Sequence, residues 1–200
     1  MKQKMKQKPK TTIETYSGRR FNLASPKGKD VCIEDIARAL SMTVRFGGHL
    51  DNFMSVAQHS VRVSDLMKTP KQRMRGLLHD ASETYAGDCV APLKRMLRGY
   101  RRLEPKLLRA IYKGLELPGL LPMTKAEALE LKCADQSVLL AERNELKTNA
   151  RCRYYRAHNK IPKGVVAAPF ARPLTWKESE VLFMYRYYHL LEEMRGIREA

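Results

Sequence analysis

Ser55-Val56-Ala57-Gln58-His59-Ser60-Val61-Arg62-Val63, followed beyond Pro70 by Met74-Arg75-Gly76-Leu77-Leu78-His79-Asp80-Ala81-Ser82-Glu83, is the stretch on which the fold turns. Its first half carries a helix start, because the Ser55 hydroxyl can serve the orphan amides of a first turn. Val56 and Val63, with Leu66 or Met67 beyond, recur at helical spacing, and His59 falls on the same inward face. Pro70 is expected to end this helix, with a third running from about Gln72 to Tyr85 through Met74, Leu77 and Leu78. His79 and Asp80 then follow directly on two core leucines, and Glu83 sits one turn past Asp80.

The flanks are also helical. Ile33 to Met42 has apolar residues at 33, 36, 37 and 40 behind an acidic Glu34-Asp35 start, which suits a helix N-terminus. Arg45-Phe46-Gly47-Gly48-His49 breaks that pattern with a turn, to which His49 is assigned. Gly87, Pro92 and Gly99 punctuate the chain after Glu83. A long helix is expected from about Lys125 to Lys147, with Ala128, Leu131, Ala134, Val138 and Leu139 on one face. That face also carries Asp135, four residues from Leu131 and four from Leu139. Thr12 to Phe21 alternates loosely, as a short strand or extended arm, and no convincing run of paired strands is found. The fold class is all-α: a basic tail over 1–11, then one domain over 12–200, with its motif core at about 33–147 and a C-terminal helical extension over 174–195. The basic, proline-bearing stretch 149–173 between them reads as an irregular excursion.

Two hundred residues suit one hydrophobic core. Apolar runs such as Val165 to Ala168 fall far short of the roughly 20 residues needed to span a bilayer, so no membrane partner is expected. The start of the chain lacks the apolar stretch of a secretory signal. Cys32, Cys89, Cys133 and Cys152 are scattered, as reduced thiols in a cytoplasmic setting would be. The net charge of +17 attracts polyanions, but nucleotides and nucleic acids are both polyanions, and part of the excess lies in Lys2, Lys4, Lys6, Lys8 and Lys10. Nucleic acid is therefore not the favoured partner.

Burying an unpaired carboxylate costs several kcal/mol, roughly, so Asp135 needs a cation or strong hydrogen bonds. Taken singly, His59 could be a hydrogen-bonded core histidine, His79-Asp80 a surface pair, and Asp135 a partner of Arg143 or Lys132. Together they supply two imidazoles and two carboxylates on three helices, a nitrogen and oxygen set suited to a divalent ion.

Gln58-His59-Ser60, Leu78-His79-Asp80-Ala81-Ser82-Glu83, Gly87-Asp88, Pro92-Leu93-Lys94 and Ala134-Asp135 together resemble the H…HD…D signature of HD-domain phosphohydrolases. Within that superfamily the pattern is similar to bacterial 5'-deoxyribonucleotidases of the YfbR kind and to phage dATP triphosphohydrolases of the DatZ kind. Ser17-Gly18-Arg19-Arg20 and Arg45-Phe46-Gly47-Gly48-His49 look typical of a phage and bacterial subgroup. The likeness spans about residues 15–147. It implies an HD-domain helical bundle with a metal site in its core, where His59, His79, Asp80 and Asp135 hold one divalent ion (Zn, Co, Mn or Mg). Glu83 is then the general acid or base and Asp88 a second catalytic and sugar-contacting group, with a second ion beside them in triphosphate-cleaving members. Arg19, Arg45, Phe46 and Lys94, with Arg20 nearby, are the implied substrate contacts. The implied reaction is hydrolysis of a deoxynucleotide. Deoxynucleoside triphosphate, dATP among them, giving tripolyphosphate ranks ahead of a 5'-deoxynucleotide giving orthophosphate; a nucleic-acid-binding or nuclease role ranks behind both. A homo-oligomer, dimer or hexamer, in the cytoplasm (the host's, if phage-encoded) completes the expectation. The Arg-Trp pair of the nucleotidases reads Arg45-Phe46 here, so their base preference does not carry over.

Overall fold

Three threonines start three helices in the same way. In Thr69-Gln72, Thr124-Glu127 and Thr175-Glu178 the hydroxyl accepts from the backbone of the third residue on, while that residue's side chain accepts from the threonine amide. Each reciprocal pair satisfies two donors that a helix start leaves open. A computed structural model describes residues 11–146, 164–169 and 171–199. In it the helices are α1 (Ile33–Met42), α2 (Val56–Asp65), α3 (Pro70–Leu78), α4 (Glu83–Ala86), α5 (Ala91–Met96), α6 (Arg98–Gly114), α7 (Lys125–Leu146) and α8 (Trp176–Glu199). Short 3-10 turns lie at Gly28–Asp30, Arg45–Gly48 and Pro118–Leu120.

The core is built by α1, α2, α3 and α8 packing on one another, with Ile36, Leu40, Val56, Val61, Met74, Leu77, Phe183 and Leu190 buried between them. The expected C-terminal helical extension packs on this core, as Phe183, Tyr187 and Leu190 project from one face of α8 into the main cluster. Gln58 ties the approach to α8 onto α2, donating to the Arg172 carbonyl (2.7 Å) and accepting from the Leu174 amide (2.9 Å). Against the other side of α2 and α3 lies α7, through a smaller cluster of Val63, Met67, Ala134 and Val138.

The structure departs from the sequence expectation in four places. Thr12–Glu14 and Arg20–Asn22 pair as an antiparallel hairpin in register Ile13 to Phe21, so paired strands do exist. The hairpin docks through Phe21, whose ring stacks on Tyr85 with centroids 3.6 Å apart. Pro70 opens α3 rather than merely closing α2, since a missing N–H is harmless at a first helical position. The helix expected through Tyr85 stops at Leu78; His79 to Ser82 form a turn before α4 begins at Glu83. Finally, α6 runs 17 residues across Gly99, expected to punctuate the chain, and across Pro105. Its apolar row Leu103, Leu107 and Ile111 packs inward and outweighs both helix breakers. Residues 1–10, 147–163, 170 and 200 lie outside the described residues, and with them nearly all of the basic tail and most of the expected excursion.

Candidate metal centre

Helices α2 and α3 approach each other closely because no side chain separates them at one point. A Cβ on Gly76 would lie 2.9 Å from the Ser64 Cα and 3.0 Å from the Ser64 nitrogen. His59 lies about one turn before Ser64 on α2 and His79 one turn after Gly76, so the close approach brings the imidazoles together. Their ring centroids are 5.4 Å apart.

Each ring is held by its Nδ1. His59 Nδ1 is 2.9 Å from Glu142 Oε1, and His79 Nδ1 is 2.7 Å from the Gly76 carbonyl, one of the orphan acceptors at the end of α3. A carboxylate and a carbonyl can only accept, so both Nδ1 atoms carry the proton and donate. The Nε2 atoms are buried and meet no polar partner besides the carboxylate that each faces. His59 Nε2 faces Asp135 Oδ1 at 3.2 Å, and His79 Nε2 faces Asp80 Oδ2 at 3.1 Å. Imidazole nitrogens turned toward carboxylates, each ring oriented through its far nitrogen, are the donor arrangement of a histidine metal site. His59, His79 and Asp80 each offer a ligand atom within 4.8 Å of the others and could hold a metal ion. Asp135 stands beside them through its contact with His59.

The charges balance around this point. Burial raises the Asp135 and Glu142 carboxyls, but facing partners outweigh it: His59 and His79 for Asp135, His59 and Arg45 for Glu142. Both end at about 2. Asp80 is held well below the usual carboxylate range, against its burial, by His79, His59 and Arg45. Burial disfavours a charged His79, yet Asp80 lifts it to about 9, so an incoming cation displaces a proton there.

Glu83, on the first turn of α4, is buried; its Oε1 accepts from Lys94 Nζ at 3.0 Å, and Oε2 has no hydrogen-bond partner. Burial, then the charges of Asp80 and Asp88, push it up to about 8 against the pull of Lys94. Such a carboxyl can carry a proton near neutrality. Asp88 is half-buried in the irregular segment after α4, beside Gly87, whose carbonyl accepts from Tyr100 Oη at 2.5 Å.

Arg45 lies inside the site, with Nη2 3.2 Å from Glu142 and Nη1 3.8 Å from Asp80, its guanidinium 5.5 Å from the Phe46 ring centre. Phe46 itself has φ of +57°, an uncommon backbone for a side-chain-bearing residue. Lys94 is shared by Glu83 and Glu104, the latter at 2.8 Å. The second ion expected beside Glu83 and Asp88 thus meets an ammonium group already 3.0 Å from Glu83. Arg19 is directed elsewhere: it donates to the carbonyls of Val31 (2.7 Å) and Lys29 (3.5 Å) and braces the start of α1. His49 sits in the Gly-Gly turn, its amide donating to the Phe46 carbonyl at 3.2 Å.

Three residues of the site were missed in sequence. Glu142, fully buried, follows Asp135 by seven residues, two turns along α7 on the same face. Arg62, 3.9 Å from Glu142, follows His59 by three. That periodicity could have found both. Nothing short of the packing of α5 on α6 could have paired Glu104 with Lys94.

No protein-family model matches the chain. It is 40% identical over 135 residues to the uncharacterized protein YfdR of Escherichia coli, covering 67% of this chain and 71% of that protein. It is 31% identical over 189 residues to the uncharacterized protein RCAP_rcc00048 of Rhodobacter capsulatus, covering 90% of this chain and 95% of that one. At this identity and coverage, the chain belongs to the family that includes YfdR and RCAP_rcc00048.

Proposed function

We propose that the chain is a metal-dependent phosphohydrolase of the HD type that cleaves the bond between the α-phosphorus and the 5'-oxygen of a small deoxynucleotide. The observation that carries this is the pair of buried Nε2 atoms, each oriented through Nδ1 and each facing a carboxylate. Their nitrogen and oxygen donors fit a divalent transition ion better than an all-oxygen site would.

His59, His79, Asp80 and Asp135 would hold the ion, which when bound supplies Lewis acidity toward water and the phosphoryl group. Glu142 keeps the His59 proton on Nδ1, and the Gly76 carbonyl does the same for His79. As water adds to phosphorus and the bond to the 5'-oxygen breaks, the leaving oxygen needs a proton. Glu83, buried and raised to about 8, can deliver it from Oε2. Lys94 then stabilises the carboxylate left behind until it takes up the proton shed by the added water. Arg45 holds Asp80 and Glu142 in place, while Phe46 offers an aromatic face at the rim and Asp88 a hydrogen-bond acceptor for a sugar hydroxyl.

A deoxynucleoside triphosphate releasing tripolyphosphate and a 5'-deoxynucleotide releasing orthophosphate share this bond and differ in the cations their distal phosphates require. The triphosphate, dATP among the candidates, remains the first reading. One observation favours the monophosphate: Lys94 is engaged by two carboxylates and Arg19 by backbone carbonyls, so neither is offered to distal phosphates. The test is a panel of dNTPs, dNMPs, cyclic nucleotides and single-stranded DNA with Mn²⁺, Co²⁺, Zn²⁺ or Mg²⁺, with products separated chromatographically. Tripolyphosphate supports the first reading and orthophosphate from dNMPs the second. Failure to cleave any nucleotide by metal-replete protein refutes both.

A further inference from the structure

On the far side of α6 the structure carries a second concentration of charge. Lys106, Arg109 and Lys113 recur at helical spacing on one face, about 140–200° around the helix from Glu104, which belongs to the metal centre's surroundings. Facing them is the loop that ends in the first 3-10 turn, with Lys27 and Lys29. Together they line a cleft of roughly 870 Å³, in which Glu116 is the only acidic lining residue among the described residues. All five cations are exposed, and none is in an ion pair among the described residues.

The cleft has a backbone floor. Gly28 and Gly114 meet so closely that a Cβ on Gly114 would lie 2.3 Å from the Gly28 carbonyl oxygen, and one on Gly28 would lie 2.9 Å from the Gly114 nitrogen. Both positions are thus confined to glycine by contact. Like charges gathered around one concavity repel each other, and an anion seated among them relieves that repulsion. Among the described residues no aromatic side chain lines the cleft, and none there offers the stacking platform by which proteins hold successive bases. The three cations of α6 span about 10 Å along its axis. That concentration suits several adjacent phosphates better than a phosphodiester backbone, whose charges are spread out.

We propose that this cleft is a binding site for a compact polyphosphate, either free or as the phosphate chain of a nucleoside triphosphate, recognised through its phosphates and not its base. It is separate from the metal centre and does not rest on the function proposed for it.

The experiment is calorimetric titration of the EDTA-treated full chain with sodium tripolyphosphate, ATP, dTTP and a 20-nucleotide single-stranded DNA. The proposal expects tripolyphosphate and both nucleotides to bind with similar affinity. It expects the K106E/R109E/K113E variant to lose more than about a hundredfold, since each charged contact is worth about tenfold or more. A K106Q/R109Q/K113Q variant should show a smaller loss in the same order. Both variants should keep the wild-type melting temperature and metal binding, because the three side chains are exposed. Unchanged tripolyphosphate affinity in the folded triple variants would overturn the proposal. So would DNA binding at this face more tightly than tripolyphosphate, which would make the cleft a nucleic-acid surface, or a clear preference between ATP and dTTP.

Discussion

Replacing Glu142 with glutamine tests how far the candidate metal centre depends on a residue outside its proposed ligand set. Glu142 Oε1 accepts from His59 Nδ1 at 2.9 Å, and Oε2 accepts from Arg45 at 3.2 Å. The carboxyl is held at about 2, so at neutral pH it is ionised and can only accept. Glutamine keeps the shape but loses the charge. With the amide nitrogen toward His59, the ring proton would move to Nε2 and remove the lone pair that faces Asp135. Outer-shell substitutions of this kind weaken metal affinity about 10–100-fold, which is roughly 1.4–2.7 kcal/mol. Alanine is a poorer probe, because it also removes the nearer carboxylate partner of Arg45, whose side chain is only 11% exposed. Breaking a buried pair typically costs about 3–5 kcal/mol of stability. The assay is competition between protein and a chromophoric chelator for Mn²⁺ or Zn²⁺, with thermal unfolding of the metal-free protein to establish folding. Asp135→Asn serves as the control that removes a proposed ligand. Wild-type affinity in folded Glu142→Gln, alongside a loss in Asp135→Asn, would refute the positioning argument.

Glu83→Gln should retain its metal and its fold while turnover falls by roughly 10²–10⁴-fold, measured as initial rate on the best nucleotide of the panel; wild-type rates would remove Glu83 from the chemistry. Gly76→Ala should destabilise the protein by about 1–3 kcal/mol through overpacking against Ser64, read by urea denaturation. Alanine's better helix propensity opposes this, so a raised midpoint would show that α2 and α3 are not in such close contact. In the metal-free protein Asp135 and Glu142 both titrate at about 2, below their ordinary values of 3.8 and 4.5. A depressed carboxyl contributes stability that is present above its unfolded value and lost as pH falls through the folded one. Stability should therefore fall between about pH 4.5 and pH 2, and less steeply in Glu142→Gln. A flat profile in denaturant titrations across that window would contradict the ion pairs.

The helices were legible wherever local chemistry and burial period agree. Ile33–Met42 has its bounds in its own apolar spacing, and Ser55 caps α2 by accepting from the Gln58 amide as its position suggested. The 22-residue α7 was likewise legible, although Ala128, expected on its inward face, is exposed and Ala134 and Val138 carry the packing. Reading failed where a long-range contact overrides a local rule. Pro105 and Gly99 oppose a helix locally, but the inward row of α6 stabilises it. The hairpin is too short for its alternation to stand out, and its docking depends on Tyr85, more than 60 residues away from Phe21.

For the candidate site, the amino-acid sequence by itself determined which faces carry the polar groups: His59 and Asp135 lie on apolar stripes at helical period, and His79-Asp80-Glu83 follow a core pair. Helical periodicity is a local property, so it survives without knowledge of the fold. Only the tertiary structure decided that these faces meet. The approach of α2 to α3 at Gly76 sets His59 beside His79, and the packing of α7 on α2 brings Asp135 and Glu142 to opposite nitrogens of one ring. Tertiary packing alone also separated the cations. Arg45 sits among carboxylates, Lys94 bridges Glu83 and Glu104, and Arg19 holds backbone carbonyls far along the chain. A lysine or arginine looks the same in sequence whether it faces substrate, solvent or a buried acid. Its role is set by the charge and burial of what folding places within a few ångströms.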